Sequence, residues 1–226
     1  MTGNENATLA GLDELIEKYH LLTHPFYRAW TQGALSRETL ALYAGQYYQH
    51  VRAFPENLKQ LASRANGQLH ELVIENLAEE LDPAAPHPAL WRQFAAAIGV
   101  TDASLASARP LPGIATLLDT FDELSGSASQ SEAVAAFYTY EAQVPEVAAE
   151  KIAGLQKYYG VTESSALRYF VVHQEADVRH RAAWRHWLAA QPESEMPAIL
   201  SAGERALRAL WGALDSVYPE ACAASN

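Results

Sequence analysis

From Ser164 to Ala190 the chain contains neither glycine nor proline, so this run reads as one long helix, and it carries His173, Asp177 and His180 at spacings of four and three. A helix turns by about 100° per residue, which gathers those three side chains into an arc of roughly 60°, one above another. Imidazole and carboxylate are ligands that iron, manganese or zinc accept, and two histidines with one carboxylate leave coordination positions open for oxygen or a substrate. A plainer reading is a solvated charged face, because Gln174, Glu175, Arg179 and Arg181 lie in the same stretch. Phe170, Ala176 and Ala183 mark out no apolar face that would turn the row toward water. A chain carrying such a row must fold so that other segments meet it.

Those other segments are helical in period. Leu9, Leu12, Leu15, Ile16 and Tyr19 predict an amphipathic helix over Leu9 to Leu22. His24-Pro25 opens a short helix through Trp30, with proline near a first turn where its missing N–H costs nothing. Ser36 reads as the N-cap of a long helix carrying Leu40, Tyr43, Ala44, Tyr47, Tyr48, Val51 and Phe54, which Pro55 should kink or break. Further helices are expected from beyond Asn66-Gly67 to Glu80, from His87 to Gly99, over Thr101 to Ala106 and over Pro110 to Leu124. Glu132 to Tyr159 should be helical with an interruption at Pro145 and a stop at Gly160, and a last helix should run from Met196 or Pro197 to Val217. Ser125 to Ser131, small and polar, reads as a linker between helices. No strand-like alternation and no internal repeat is visible, so the expected fold is an all-α bundle of about seven to nine helices.

At 226 residues the chain can bury a sizeable core, and one domain over 1–226 is expected, with loose tails at 1–8 and 219–226. A formal charge of −11 would repel nucleic acid and anionic lipid, and no basic cluster offsets it. The single Cys222 excludes an intrachain disulfide. Neither a signal sequence nor an apolar run of roughly 18 residues is present, so a cytoplasmic protein without a membrane partner is expected.

Partners for the His-Asp-His row can be sought among the other acids and imidazoles. Glu141 is embedded in Phe137-Tyr-Thr-Tyr-Glu141-Ala-Gln-Val-Pro145, and an ionised carboxylate buried there without a partner would cost several kcal/mol. Glu79 and Glu80 close one helix and His87 opens the next, so a tight turn could join them; an exposed acidic helix end beside a helix-opening histidine is the plainer reading. Pooled, Glu80, His87, Glu141, His173, Asp177 and His180 supply three carboxylates and three imidazoles. Two divalent cations would outweigh those negative charges and leave each metal with open positions, which suits a dinuclear centre that activates oxygen. A ferritin-like site would need Glu-x-x-His on each of two helices; Glu17 with His20 is one such pair and reads as a surface pair, while Asp177 with His180 is a variant.

No Gly-x-Ser-x-Gly, phosphate loop or Cys-x-x-Cys is present, which removes support for hydrolase, nucleotide-binding and zinc-ribbon functions. His50, His70 and His186 are expected to bond at helix surfaces or in the core, and Tyr43, Tyr47, Tyr48 and Phe54 read as core aromatics.

Six stretches together resemble the heme-oxygenase-like dimetal oxidases, within the wider group of thiaminase-II and pyrroloquinoline-quinone synthase C folds. They are His24-Pro-Phe-Tyr27, Tyr43-Ala-Gly-Gln-Tyr47-Tyr48, Asn76-Leu-Ala-Glu-Glu80, Tyr140-Glu141-Ala-Gln-Val-Pro145, Lys151-Ile-Ala-Gly-Leu and Tyr169-Phe-Val-Val-His173-Gln-Glu-Ala-Asp177-Val-Arg-His180. The likeness spans roughly residues 10 to 190. It implies a bundle of that type with two metal ions, Fe/Fe or Mn/Fe, held by the six residues pooled above, and a requirement for O2 and an external reductant. It also implies synthesis of 4-aminobenzoate for folate supply, with Tyr27 consumed as the ring source, Lys151 as amino donor and Tyr43 as a nearby participant. From spacing alone, Lys151 would sit about 80° off the face of Glu141 unless Pro145 redirects the helix, and both Lys151 and Tyr27 have plainer readings as a surface lysine and a core tyrosine. A homodimer is the expected assembly.

Rival functions within such a fold separate on residue content. A thiaminase-like hydrolase needs a cysteine in the bundle, a heme oxygenase one axial histidine without a carboxylate cluster, and a cofactor-free quinone-forming oxidase would lack the full ligand set. A dimetal oxidase acting on a small external amino or fatty acid stays open, as does an interaction protein, since a member of this family was first recognised through binding of death domains.

Overall fold

The computed structural model describes residues 5–219, with side chains from Leu9 onward. Residues 5–8, expected to be loose, form the first turn of a helix, whereas the remainder of the two expected tails, 1–4 and 220–226 with Cys222, lies outside the described residues. The chain is all-α. Its helices are α1 (Glu5–Lys18), α2 (Pro25–Thr31), α3 (Arg37–Arg64), α4 (Gly67–Glu80), α5 (His87–Ala97), α6 (Asp102–Ser107), α7 (Pro112–Gly126), α8 (Gln130–Glu141), α9 (Val144–Tyr158), α10 (Ser164–Ala189) and α11 (Met196–Val217). Short 3-10 turns precede α2 and α11. The count exceeds seven to nine because the short α2 and α6 stand alone and the run through Pro145 divides into two helices.

Local chemistry accounts for most boundaries. Ser36 Oγ accepts from Thr39 N at 3.1 Å and starts α3 as expected. Ser129 and Glu132 form a capping box that starts α8, so the linker read from Ser125 to Ser131 shrinks to the three residues between α7 and α8. Gly160, at φ 71°, stops the chain after α9. Pro55 neither ends nor divides α3, which continues to Arg64. An interior proline costs about 3 kcal/mol in an isolated helix; here α3 packs against α4, α5 and α7, and that burial outweighs the lost bond.

α8 occupies the middle of the bundle. From Ala133 to Glu141 every side chain is buried, so the helix shows no amphipathic face and must be surrounded. α11 and α10 cover it, α7 packs on α11, and α9 and α5 pack on α10. α11 buries Ile199, Ala202, Ala206, Leu207, Leu210, Ala213, Leu214 and Val217 along one stripe, each large aliphatic side chain contributing roughly 1.5–3 kcal/mol. Leu200 and Trp211, expected in the core, flank that stripe half-buried. Gly113 makes the α7–α11 crossing possible, because a Cβ there would lie 2.2 Å from the Gly212 carbonyl oxygen. Glu141 thus ends the central helix, and α10 runs alongside it.

Candidate metal centre

Two groups of three acid and imidazole side chains come together inside the bundle. Glu80, His87 and His173 form one, Glu141, Asp177 and His180 the other, and within each group the candidate ligand atoms all lie within 4.8 Å of one another. Glu80 ends α4 and His87 opens α5, so the turn between them brings Glu80 Oε2 to 2.9 Å from His87 Nδ1. His173, from α10, brings Nε2 to 3.9 Å from Glu80 Oε1. One turn further along α10, Asp177 Oδ1 lies 3.4 Å from His180 Nδ1, and Glu141 Oε2 lies 3.9 Å from the same nitrogen. None of the six residues is more than 6% exposed, so the plainer reading of a solvated acidic helix end at Glu80 and His87 does not hold.

The polar atoms crowd together without bonding. His87 Nδ1, Asp177 Oδ2 and both ring nitrogens of His180 have no hydrogen-bond partner among the described residues, although carboxylate oxygens approach them. One atom from each of the three residues in a group lies close to one from the other two, without a donor aligned to an acceptor, so the polar atoms of each group are not satisfied by one another. Burial, reinforced by the neighbouring Asp177 charge, pushes the Glu141 carboxyl up to about 8, and burial with the Glu80 charge raises Asp177 well above the carboxylate range. Burial works against charging His87, but the Glu80 carboxylate outweighs it and lifts the imidazole above its ordinary value. Such a donor set fits cations, which relieve the repulsion among buried carboxylates and engage the unbonded nitrogens.

Surrounding groups fix several of these side chains. His173 Nδ1 lies 2.6 Å from the Tyr169 carbonyl, so Nδ1 carries the proton and Nε2 is left for the cluster. Glu141 receives Asn76 Nδ2 at 2.8 Å on one oxygen and Trp184 Nε1 at 2.6 Å on the other. Trp184 extends the row at 173, 177 and 180 by four more residues, and a buried indole N–H needs an acceptor; that was the signal for it in the sequence. Asn76 sits one turn before Glu80 on α4, a position with no distinguishing local pattern.

Beside the first cluster is a chamber of phenols around one amine. Lys151, 5% exposed, holds Nζ at 5.2–5.7 Å from the ring centroids of Tyr27, Tyr43, Tyr47, Trp91 and Phe170. Burial draws its pKa down from 10.5 to about 7. Tyr27 Oη and Tyr43 Oη are 3.3 Å apart, and Tyr47 Oη donates to Tyr140 Oη at 3.1 Å. Burial raises the pKa of all four phenols, so they stay protonated near neutrality. A cavity of about 20 Å³ touches Tyr27, Lys151, Tyr169 and His173, joining this chamber to the first cluster.

The helix is interrupted at 142–143, and Lys151 lies beyond that interruption. Because α8 ends at Glu141 and α9 begins afresh at Val144, the 80° offset read from a continuous helix does not apply. Gln143 holds the break, with Nε2 donating to the Thr139 carbonyl and Oε1 accepting from Leu21 N at 2.8 Å. Lys151 is therefore no surface lysine; Tyr47 lines the cavity as well as the core, and Tyr43 is a core residue whose ring lies beside the amine. His50 differs from expectation: it is fully buried among Tyr47, Phe54, Phe121 and Tyr140 with neither ring nitrogen bonded, and burial lowers its pKa to about 3. His20 pairs with Glu146 at 3.5 Å, away from both clusters, so the Glu17–His20 pair builds no ferritin-like site.

The sequence matches the family model of iron-containing redox enzymes over residues 41–211, a span that includes all six clustered residues, Tyr43 and Lys151. It is similar to the 4-aminobenzoate synthase of Nitrosomonas europaea, 38% identical over 225 residues that cover 94% of this chain and 91% of the relative. The 4-aminobenzoate synthase of Chlamydia trachomatis is 36% identical over 206 residues, covering 91% and 89%. A solved structure from Shewanella denitrificans, a domain of unknown function with a heme oxygenase-like fold, matches with a TM-score of 0.77 at 18% identity, covering 96% of this chain and 91% of that one. That likeness concerns the fold alone.

Proposed function

The chain belongs to the iron-containing redox enzyme family, and from that premise we propose that it is an oxygen-dependent 4-aminobenzoate synthase that consumes itself, with Tyr27 as ring source and Lys151 as amino donor. The observation that carries this reading is the size of the chamber. About 20 Å³ between His173, Lys151 and Tyr27 has room for roughly one water, whereas sites for organic ligands occupy roughly 300–1,000 Å³. The aromatic ring within reach is the protein's own. The two 4-aminobenzoate synthases at 36–38% identity support the same product.

Glu80, His87 and His173 would hold one metal ion and Glu141, Asp177 and His180 the other, as an iron pair or a manganese–iron pair. When bound, the pair supplies oxidising power from dioxygen toward a nearby phenol, with an external reductant providing the remaining electrons. The chain's own groups do the rest. Tyr43 hydrogen-bonds the Tyr27 hydroxyl and fixes its orientation in the chamber. Lys151, drawn down to about 7, is substantially neutral at physiological pH, so its nitrogen lone pair is available beside the Tyr27 ring. Packed aromatics exclude bulk water from that nitrogen, and Asn76 and Trp184 hold Glu141 in one orientation.

Genetic complementation tests the proposal. A strain lacking other routes to 4-aminobenzoate should grow unsupplemented with this gene and fail with Tyr27→Phe, which keeps the ring's packing and loses one hydrogen bond worth about 1 kcal/mol. Equal growth with both would remove the self-consuming route and leave the metal centre standing.

A further inference from the structure

We infer that Glu79, held by Arg179, is a positioning residue for His180 and through it for the second metal cluster; the inference rests on the metal-centre reading above. His180 turns its two ring nitrogens in different directions. Nδ1 lies 3.4 and 3.9 Å from Asp177 and Glu141 oxygens, while Nε2 lies 3.5 Å from Glu79 Oε2, near enough to meet it although the two are not hydrogen-bonded in this structure. An imidazole that gives one nitrogen to a cation carries its proton on the other, and that N–H, when buried, needs an acceptor. Among the described residues the carboxylate within 4 Å of Nε2 is that of Glu79.

Glu79 is itself held. Both of its oxygens accept from the Arg179 guanidinium, at 2.9 and 3.0 Å, and Arg179 also reaches Glu75 at 4.0 Å. Glu75 and Glu79 are one turn apart on α4, and Arg179 precedes His180 on α10, so this clasp closes the two helices that carry Glu80, His173, Asp177 and His180. Arg179 is 58% exposed and Glu79 29%, and an ion pair at such a rim adds little stability by itself. Its guanidinium cancels the Glu79 charge, so the clasp brings an acceptor to His180 without adding net negative charge beside a cluster that already has two carboxylates.

The test is Mn(II) binding to the metal-free full-length protein, with free Mn(II) followed by electron paramagnetic resonance. Glu79→Ala should weaken the site that His180→Ala abolishes by about 10–100-fold and leave the other site as in wild type. Glu79→Gln, which keeps an acceptor oxygen, should stay within a few-fold of wild type. Wild-type binding at both sites in Glu79→Ala, equal weakening of both sites, or a Glu79→Gln loss as large as that of Glu79→Ala would each overturn the inference. A wild-type protein that binds no Mn(II) would instead bring down the metal centre itself, and this inference with it.

Discussion

Lys151 is a residue whose placement opposes stability and suits chemistry. Its unfolded-state pKa of 10.5 falls to about 7 on burial, so between those values the unfolded chain binds a proton that the folded chain does not. Stability therefore rises with pH across that window, and below about 7 the full cost of charging the buried amine is present. Lys151→Met fills the same space without a charge. It should raise the melting temperature at pH 7, by a stabilisation on the order of a few kcal/mol, while abolishing 4-aminobenzoate formation. A thermal melt beside a product assay checks both, and a lower melting temperature would mean that the aromatic rings compensate the buried amine. In wild type, product formation should increase with pH up to about 7 and level off above it, as the neutral amine comes to predominate.

At the scale of helices, Gly154 permits the close approach of α9, which carries Lys151, to α2, which carries Tyr27. It lets α9 press against Trp30 of α2, whose indole N–H lies 3.4 Å from the Lys151 carbonyl; a Cβ at Gly154 would fall 2.6 Å from the indole ring. Gly154→Ala should separate α9 from α2 at a cost of about 1–3 kcal/mol, and reduce 4-aminobenzoate formation several-fold without changing metal stoichiometry. Unchanged product yield would show that the approach of α2 to α9 is not needed. Helix ends governed by local chemistry, such as Ser36 and Gly160, were legible in the sequence, and so was the His173, Asp177, His180 row, because periodicity determines it. The course of α3 through Pro55 was not, since packing against three other helices overrides a local penalty. Nor was α8 legible as the central helix, because a segment buried on every side carries no amphipathic signature.

For the molecule as a whole, four separate helices contribute to the two clusters, and that convergence is what sequence periodicity could not give. It determined which residues share a helix face, not that the ends of α4, α5 and α8 would meet the middle of α10. The resemblance to dimetal oxidases named all six, and the structure gathers those same six into two groups of three, but the hydrogen bonds of Asn76 and Trp184 to Glu141 and the approach of Glu79 to His180 appear only in the contacts. The small chamber also belongs to this scale, since its walls come from α2, α3, α8, α9 and α10. Under the proposed function, the ring transformed is already part of the fold. The direct measurement is to load the protein, made with ring-labelled tyrosine, with iron and manganese, and supply O2 and a reductant but no organic substrate. Labelled 4-aminobenzoate at no more than one equivalent per chain, and none from Tyr27→Phe, is the predicted result; product in excess of the chains, or labelled product from Tyr27→Phe, would contradict it.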